Sequence, residues 1–411
     1  MSARQHLLPG VYSTGVRILK GMVMEMKKAV MYGAGNIGRG FIGQVFHDSG
    51  YEVVFIDVNT AVLDQLNKNQ SYPHRIVSEA LTEERLIDHV RGVNGNDVEA
   101  VAREIAECEV MATSVGANIL KFVAPNVAAG IKKRAVLNGR PLNILLCENL
   151  MDAAAFFRSL LEQYFEGDEK ELLDNVGLVE TSIGRMVPAL SPEMQEGDCT
   201  RIFVEPYCEL PVDAKAFVGP IPELKYIVPF TPFRFYEERK LYIHNMGHAI
   251  TAYFGYLKGY TYIWEAIADP KIRALAADSM NNTAQALAKG YGVELSTLQN
   301  HVEDLLNRFT NKKLGDTVKR VGQDPLRKLK PSDRLIGAVG RCKQEGIGYD
   351  GILRGIAACL RFDNEADKSA VELQAQLRDK GVATFLREYC GLPDEDAARC
   401  VDYYENIENL L

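Results

Sequence analysis

No stretch of this chain approaches the roughly 20 consecutive apolar residues that a membrane-spanning helix needs, so a role built on such a helix is excluded. Basic residues are not in surplus either: Lys and Arg number 47 against 55 Asp and Glu, a net charge of −8. That balance disfavours a surface that coats nucleic acid, while leaving room for a small basic pocket around an anionic metabolite. The eight cysteines (Cys108, Cys147, Cys199, Cys208, Cys342, Cys359, Cys390 and Cys400) never form a CxxC pair. This fits neither a disulfide framework nor a zinc knuckle, and points to a reducing cytoplasm. No cluster has zinc-ligand spacing, so no metal site is expected, and His74, His89 and His301 read as surface or packing residues. Internal repeats and low-complexity segments are also missing. What remains is an ordinary globular composition, 47% hydrophobic and 25% charged over 411 residues, long enough for two cores.

Residues 1–24 contain Arg and Lys but no acid, the composition of a weak organelle-targeting peptide. The simpler reading is an extension, residues 1–25, ahead of alternative start methionines, with the fold beginning at Met26. From there short β-branched runs alternate with amphipathic helices: "KKAVMYG", a helix through "GFIGQVFHDSG", then "YEVVFIDVN", a βαβ unit. "CEVMATSVG" and "LNILLCEN" read as buried parallel strands, each followed by a helical pattern. "TRIFVEPYCEL" alternates like a strand open on one face, and "VPFTPF" reads as a connector. Beyond about residue 232 the spacing is helical throughout. The expected architecture is α/β: a Rossmann-like, doubly wound domain over 26–231 and an all-helical domain over 232–411.

Gly33, Gly35 and Gly38 form GxGxxG directly after the first strand and at the opening of a helix. The first permits a tight turn, the second a close approach of pyrophosphate, and the third close helix–strand packing. Asn36, Ile37 and Arg39, which share this turn, are counted with the cofactor site. Asp57 follows at the end of the next strand, where a carboxylate accepts from a ribose hydroxyl and repels a 2′-phosphate. NAD is therefore the expected cofactor.

"YEERKLYIHNMGHAITAY" holds Lys240, His244, Asn245 and His248. On an α-helix the last three lie at about 40°, 140° and 80° from Lys240, on one shared face. An amine, an amide and an imidazole suit alcohol oxidation: a base takes the proton, a donor holds the alkoxide and a third group orients them. Lysine serves as that base only where burial and positive neighbours lower its pKa. Asn149, at the carboxyl end of "LNILLCEN", reads equally as a second oxyanion donor or as a helix N-cap.

Together these stretches, with "RMVP" at 185–188 and "PLRKLKPSDRL" at 325–335, resemble the polyol-specific long-chain dehydrogenase/reductase family from about Met26 to the C-terminus. The resemblance implies NAD-linked, metal-independent interconversion of a sugar alcohol phosphate and a ketose phosphate, D-mannitol 1-phosphate and D-fructose 6-phosphate. It assigns Lys240 as general acid/base, Asn245 with Asn149 as polarisers of the reacting oxygen and His248 as a positioning group. It also puts Glu237 where some relatives have a proton relay. Met246, His244 and the segments around 75–107 and 190–215 depart from the family pattern, so an unphosphorylated polyol or hexuronate stays open as substrate. For a phosphate, Arg327 and Arg334 are the expected anchors, with Arg185 as an alternative. Rival readings are a nucleotide-sensing module without turnover and an oxidative decarboxylase of the 6-phosphogluconate type.

Overall fold

Runs such as Ala29–Val30–Met31 and Val53–Val54–Phe55 have no polar face because both faces are covered. Ala29, Met31, Val53 and Phe55 enter one core, and Val30, Tyr32, Val54 and Ile56 enter the other, as the period of two requires. The computed structural model describes residues 26–188 and 190–410; the expected extension over 1–25 lies outside the described residues.

In chain order the strands are β1 (Lys27–Tyr32), β2 (Tyr51–Asp57), β3 (Ser71–Val77), β4 (Thr82–Asp88), β5 (Val90–Asn94), β6 (Val110–Thr113), β7 (Leu142–Leu146), β8 (Val176–Glu180), β9 (Ile202–Val204), β10 (Leu210–Asp213) and β11 (Ile227–Phe230). One six-stranded sheet has the order β5-β2-β1-β6-β7-β8, with every neighbouring pair parallel. The doubly wound arrangement read from the sequence is therefore present. The chain winds from β1 outward to β2 and β5, then back to β6, β7 and β8. The crevice at the carboxyl ends of β1 and β6 is where such a sheet admits a ligand.

Two smaller sheets differ from expectation. β4, β3 and β9 form a three-stranded sheet; "TEERLID" in β4 is mostly exposed, so its solvated character hid the strand. "TRIFVEPYCEL" is not one strand but β9 and the start of β10, separated by irregular chain. The connector "VPFTPF" contributes to β11, which among the described residues pairs with β10 alone; Pro229 is tolerated there because an edge strand leaves N–H positions unused.

From Arg234 onward the described residues form helices. The longest, Pro270–Tyr291, begins with Asp269 accepting from the Lys271 and Ile272 amides and with Pro270 in its first turn, and it ends at Gly292 with φ +66°, as the capping chemistry predicts. The helix Met246–Leu257 runs through the middle of this core, with Ile250, Ala252, Tyr253 and Phe254 fully buried. Arg308 bolts the helical part to the sheet part: it donates to both carboxylate oxygens of Glu205, at 2.8 and 2.5 Å, and to the Gly184 carbonyl. Asn311 donates to the Val77 carbonyl at 3.0 Å.

Candidate active site

The glycine turn leaves β1 and enters a helix whose first turns, Gly38–Ile42, are π-helical. Gly33 has φ +106°, and a Cβ there would lie 2.5 Å from the Ser114 carbonyl oxygen; at Gly38 it would lie 1.9 Å from the Gly33 carbonyl. At Gly35 a Cβ would meet no protein atom within 4 Å. Gly35 opens instead on a cavity of about 390 Å³, walled also by Gly33, Asp57, Asn96 and Ser114. Asp57 is fixed at its lip: one carboxylate oxygen accepts from the Ala34 amide at 2.7 Å, the other from Val58 and Asn59. The exposed apolar side chains of Val58, Ile119 and Phe122 ring the mouth. Space beside Gly35, a carboxylate at the end of β2 and an apolar rim suit pyrophosphate, ribose and adenine in turn, so the residues present fit NAD.

Of the turn residues counted with the cofactor, Gly33 and Gly35 wall this cavity; the side chains of Asn36, Ile37 and Arg39 point elsewhere. Asn36 reaches the Pro188 carbonyl at 3.4 Å, and Ile37 packs on the core beneath the sheet. Arg39 is buried, its guanidinium donating to the carbonyls of Ala34, Cys199 and Thr200. It braces the turn from behind, where the turn's carbonyls would otherwise lack partners.

A second cavity, of about 450 Å³, lies between the carboxyl ends of β7 and β8 and the helix that opens the helical part. Asn149, Lys240, Asn245, Arg327 and Arg334 all line it. The helix containing Asp152 at its N-cap begins at Ala153, so Asn149 is not the cap and its amide is free to face the cleft. Lys240 Nζ donates to Asn149 Oδ1 at 3.4 Å. Burial, with the Arg334 guanidinium nearby, lowers the Lys240 amine to about 8. Burial and the neighbouring Glu180 raise the Glu237 carboxyl, also in the cleft wall, to about 7.

The expected single face of Lys240, His244, Asn245 and His248 requires correction, because Arg239–Asn245 is a π-helix rather than an α-helix. Its i→i+5 bonding brings Asn245, five residues on, to the side of Lys240, and both line the cleft. His244 is buried, and burial followed by Arg308 holds its pKa well below the usual value. His248 does not line the cleft. Its ring stacks on Phe309 at 4.7 Å, with Nε2 3.3 Å from Asp316, in a small separate pocket.

Arg327 donates to Asp324 at 2.7 Å and to Asp333 at 3.2 Å, and Arg334 donates to the other oxygen of Asp333 at 2.8 Å. Arg185 is corrected as an anchor: it is buried against the Glu205 and Gly40 carbonyls and Gln44 Oε1 and does not reach the cleft. The cleft wall adds residues without a sequence assignment, among them Arg234, Glu148, Thr181 and Ser182. Arg234 had a signal: it precedes Glu237 and Lys240 at helical intervals of three. Among the described residues no group of three or more His, Cys, Asp or Glu is arranged to hold a metal ion, and no helix is long and apolar enough to cross a membrane.

A crevice at the carboxyl end of a parallel sheet that fits a dinucleotide, together with a separate cleft lined by a lysine of lowered pKa, defines the class: a pyridine-nucleotide-dependent oxidoreductase. Residues 27–226 match the mannitol dehydrogenase Rossmann domain and residues 233–398 the mannitol dehydrogenase C-terminal domain, so the chain belongs to the mannitol dehydrogenase family. The mannitol-1-phosphate 5-dehydrogenase of Bacillus subtilis (strain 168) is 36% identical over 378 residues, 91% of this chain and 98% of that protein. The enzyme of the same name from Bacillus velezensis is 37% identical over 369 residues, 89% and 95% of the two chains. Among solved structures, Pseudomonas fluorescens mannitol 2-dehydrogenase with NAD and D-mannitol has a TM-score of 0.74 at 17% identity, covering 93% of this chain and 92% of that one. A D-sorbitol dehydrogenase in substrate-free form has a TM-score of 0.80 at 16% identity, covering 93% of each. These two likenesses establish the fold.

Proposed function

We propose that this chain is an NAD-dependent, metal-independent oxidoreductase that interconverts D-mannitol 1-phosphate and D-fructose 6-phosphate, working in a reducing cytoplasm where its eight cysteines stay free. Residues 26–231 hold NAD, and residues 232–411 supply the acid/base lysine. The observation that carries the reading is the meeting of Lys240, Asn149 and Asn245 in one cleft, alongside relatives whose names state this activity.

In the oxidising direction the neutral Lys240 amine removes the hydroxyl proton. NAD, held by the Gly33–Gly38 turn and Asp57, would supply the hydride acceptor for the same carbinol carbon. Because Asn149 Oδ1 already accepts from Lys240, its amide N–H₂ is left to donate to the developing alkoxide, with Asn245 as the second donor. Glu237, near neutrality, is suited to pass the proton from Lys240 to solvent. Arg327 and Arg334 hold the phosphate by exchanging Asp333 for phosphate oxygens. His248 has no substrate contact in this scheme.

One observation supports a second reading, an unphosphorylated polyol: Asp333 already accepts from both arginines, which meets part of their charge. NADH absorbance with mannitol 1-phosphate, mannitol, tagaturonate and fructuronate decides. Turnover is expected to be fastest with mannitol 1-phosphate, and equal or better rates with mannitol would overturn the assignment.

A further inference from the structure

We propose that Glu148 is a positioning residue that holds the cofactor and substrate cavities in register. Its side chain is 5% exposed, and among the described residues no cation lies within ion-pair distance of it. Instead one carboxylate oxygen accepts from the Val115 amide at 3.0 Å and the other from the Gly116 amide at 2.8 Å. The loop so gripped walls the cofactor cavity through Ser114 and Val115. Ser114 is also the residue on which the Gly33 turn closes. Glu148 itself and the next residue, Asn149, wall the substrate cleft, and Asn149 receives the Lys240 amine. A single carboxylate therefore ties the wall of one cavity to the reacting corner of the other.

The need for such a tie follows from the chemistry. Hydride transfer requires the reacting atoms at about 3–3.5 Å, and a misplacement of about 1 Å costs on the order of a hundredfold in rate. The two parts in question come from different crossovers of the sheet, after β6 and after β7, and the main-chain bond between them from the Cys147 amide to the Thr113 carbonyl, 2.9 Å, stops one residue short of Glu148. A carboxylate is suited to the task because both of its oxygens accept. A glutamine in its place satisfies one of the two N–H groups and turns its own N–H₂ toward the other.

The test is Glu148→Gln. Loss of a charge-assisted bond to the loop is expected to weaken NADH binding, followed by its fluorescence, by about tenfold. Turnover of mannitol 1-phosphate should fall about a hundredfold with KM nearly unchanged. The deuterium isotope effect from substrate labelled at the oxidised carbon should rise as hydride transfer becomes limiting. A residue that merely stabilises the fold lowers Tm and leaves the isotope effect and the kcat of folded enzyme alone. That result, or NADH affinity and kcat both within twofold of wild type, would overturn the proposal. Where the variant does not fold, hydrogen exchange in the cofactor-free wild type decides: the Val115 and Gly116 amides are expected to be protected, and exchange at open-loop rates refutes the clamp. Only the turnover arm rests on the substrate reading above. A wild-type enzyme inactive on mannitol 1-phosphate would sink that reading and leave NADH binding and exchange to judge Glu148.

Discussion

Lys240→Ala probes the chemistry most directly. With its amine lowered to about 8, Lys240 is neutral in roughly one molecule in ten at pH 7, whereas an ordinary lysine is neutral in roughly one in 3,000. The two directions of the reaction then respond to pH with opposite sign. Polyol oxidation, which needs the free amine, rises about tenfold per pH unit below about 8 and levels off above it. Ketose reduction, which needs the ammonium as proton donor, is flat below about 8 and falls above it. Removing the side chain should cut kcat by about 10²–10⁴-fold in both directions, some 3–5 kcal/mol of barrier, and erase the limb at about 8. Lys240→Arg should be as poor, since a guanidinium stays charged. NADH affinity should hold within about twofold, because Lys240 does not line the cofactor cavity. Linkage supplies an independent check. The folded pKa lies below the unfolded 10.5, so the native state binds fewer protons between about 8 and 10.5, and the lysine's penalty on stability is complete below about 8. Lys240→Met should therefore raise Tm at pH 7, with the gain fading as pH climbs through that window. Single-turnover NADH absorbance and thermal unfolding suffice for both. An alanine variant within tenfold of wild type, or one that keeps the limb at about 8, would refute the assignment.

The glycines separate folding from binding. Gly38→Ala places a Cβ against backbone and should destabilise by about 3 kcal/mol or more, seen as a fall in Tm. Gly35→Ala meets no protein atom, so unfolding stability should hold to within about 0.5 kcal/mol while NADH affinity drops at least tenfold. Arg308→Leu leaves the Glu205 carboxylate buried without its cation and should cost about 3–5 kcal/mol in urea unfolding. Arg327→Ala and Arg334→Ala should raise KM for mannitol 1-phosphate with little change in Tm. Arg39→Ala and Arg185→Ala should lower Tm, and an Arg185 variant of normal Tm but raised KM would reverse that division.

What was legible in the sequence is what short-range geometry dictates. The requirements at Gly33 and Gly38 are met within one turn and one packing contact, and alternating apolar strands announce a sheet covered on both sides. Lys240, His244, Asn245 and His248 were legible as one helix face, with Asn149 open between donor and N-cap, but nothing in "RKLYIHNMG" signals the wider ring that brings Asn245 beside Lys240. The arginines expose the deeper difficulty. Arg39, Arg134 and Arg185 are all buried, and each donates to main-chain carbonyls of loops and helix turns, groups that the sheet ladders do not use. Arg327 and Arg334 meet carboxylates at the cleft instead. A guanidinium paired with Asp333 can trade it for a phosphate while the aspartate turns to water; one that caps carbonyls cannot leave without orphaning buried acceptors, at about 1–3 kcal/mol each. Which kind an arginine is depends on segments distant in the chain, such as those of Glu205 and Gly40 around Arg185. In an acidic protein the arginines free to bind an anion are therefore those whose present partners are carboxylates at the cleft and not backbone.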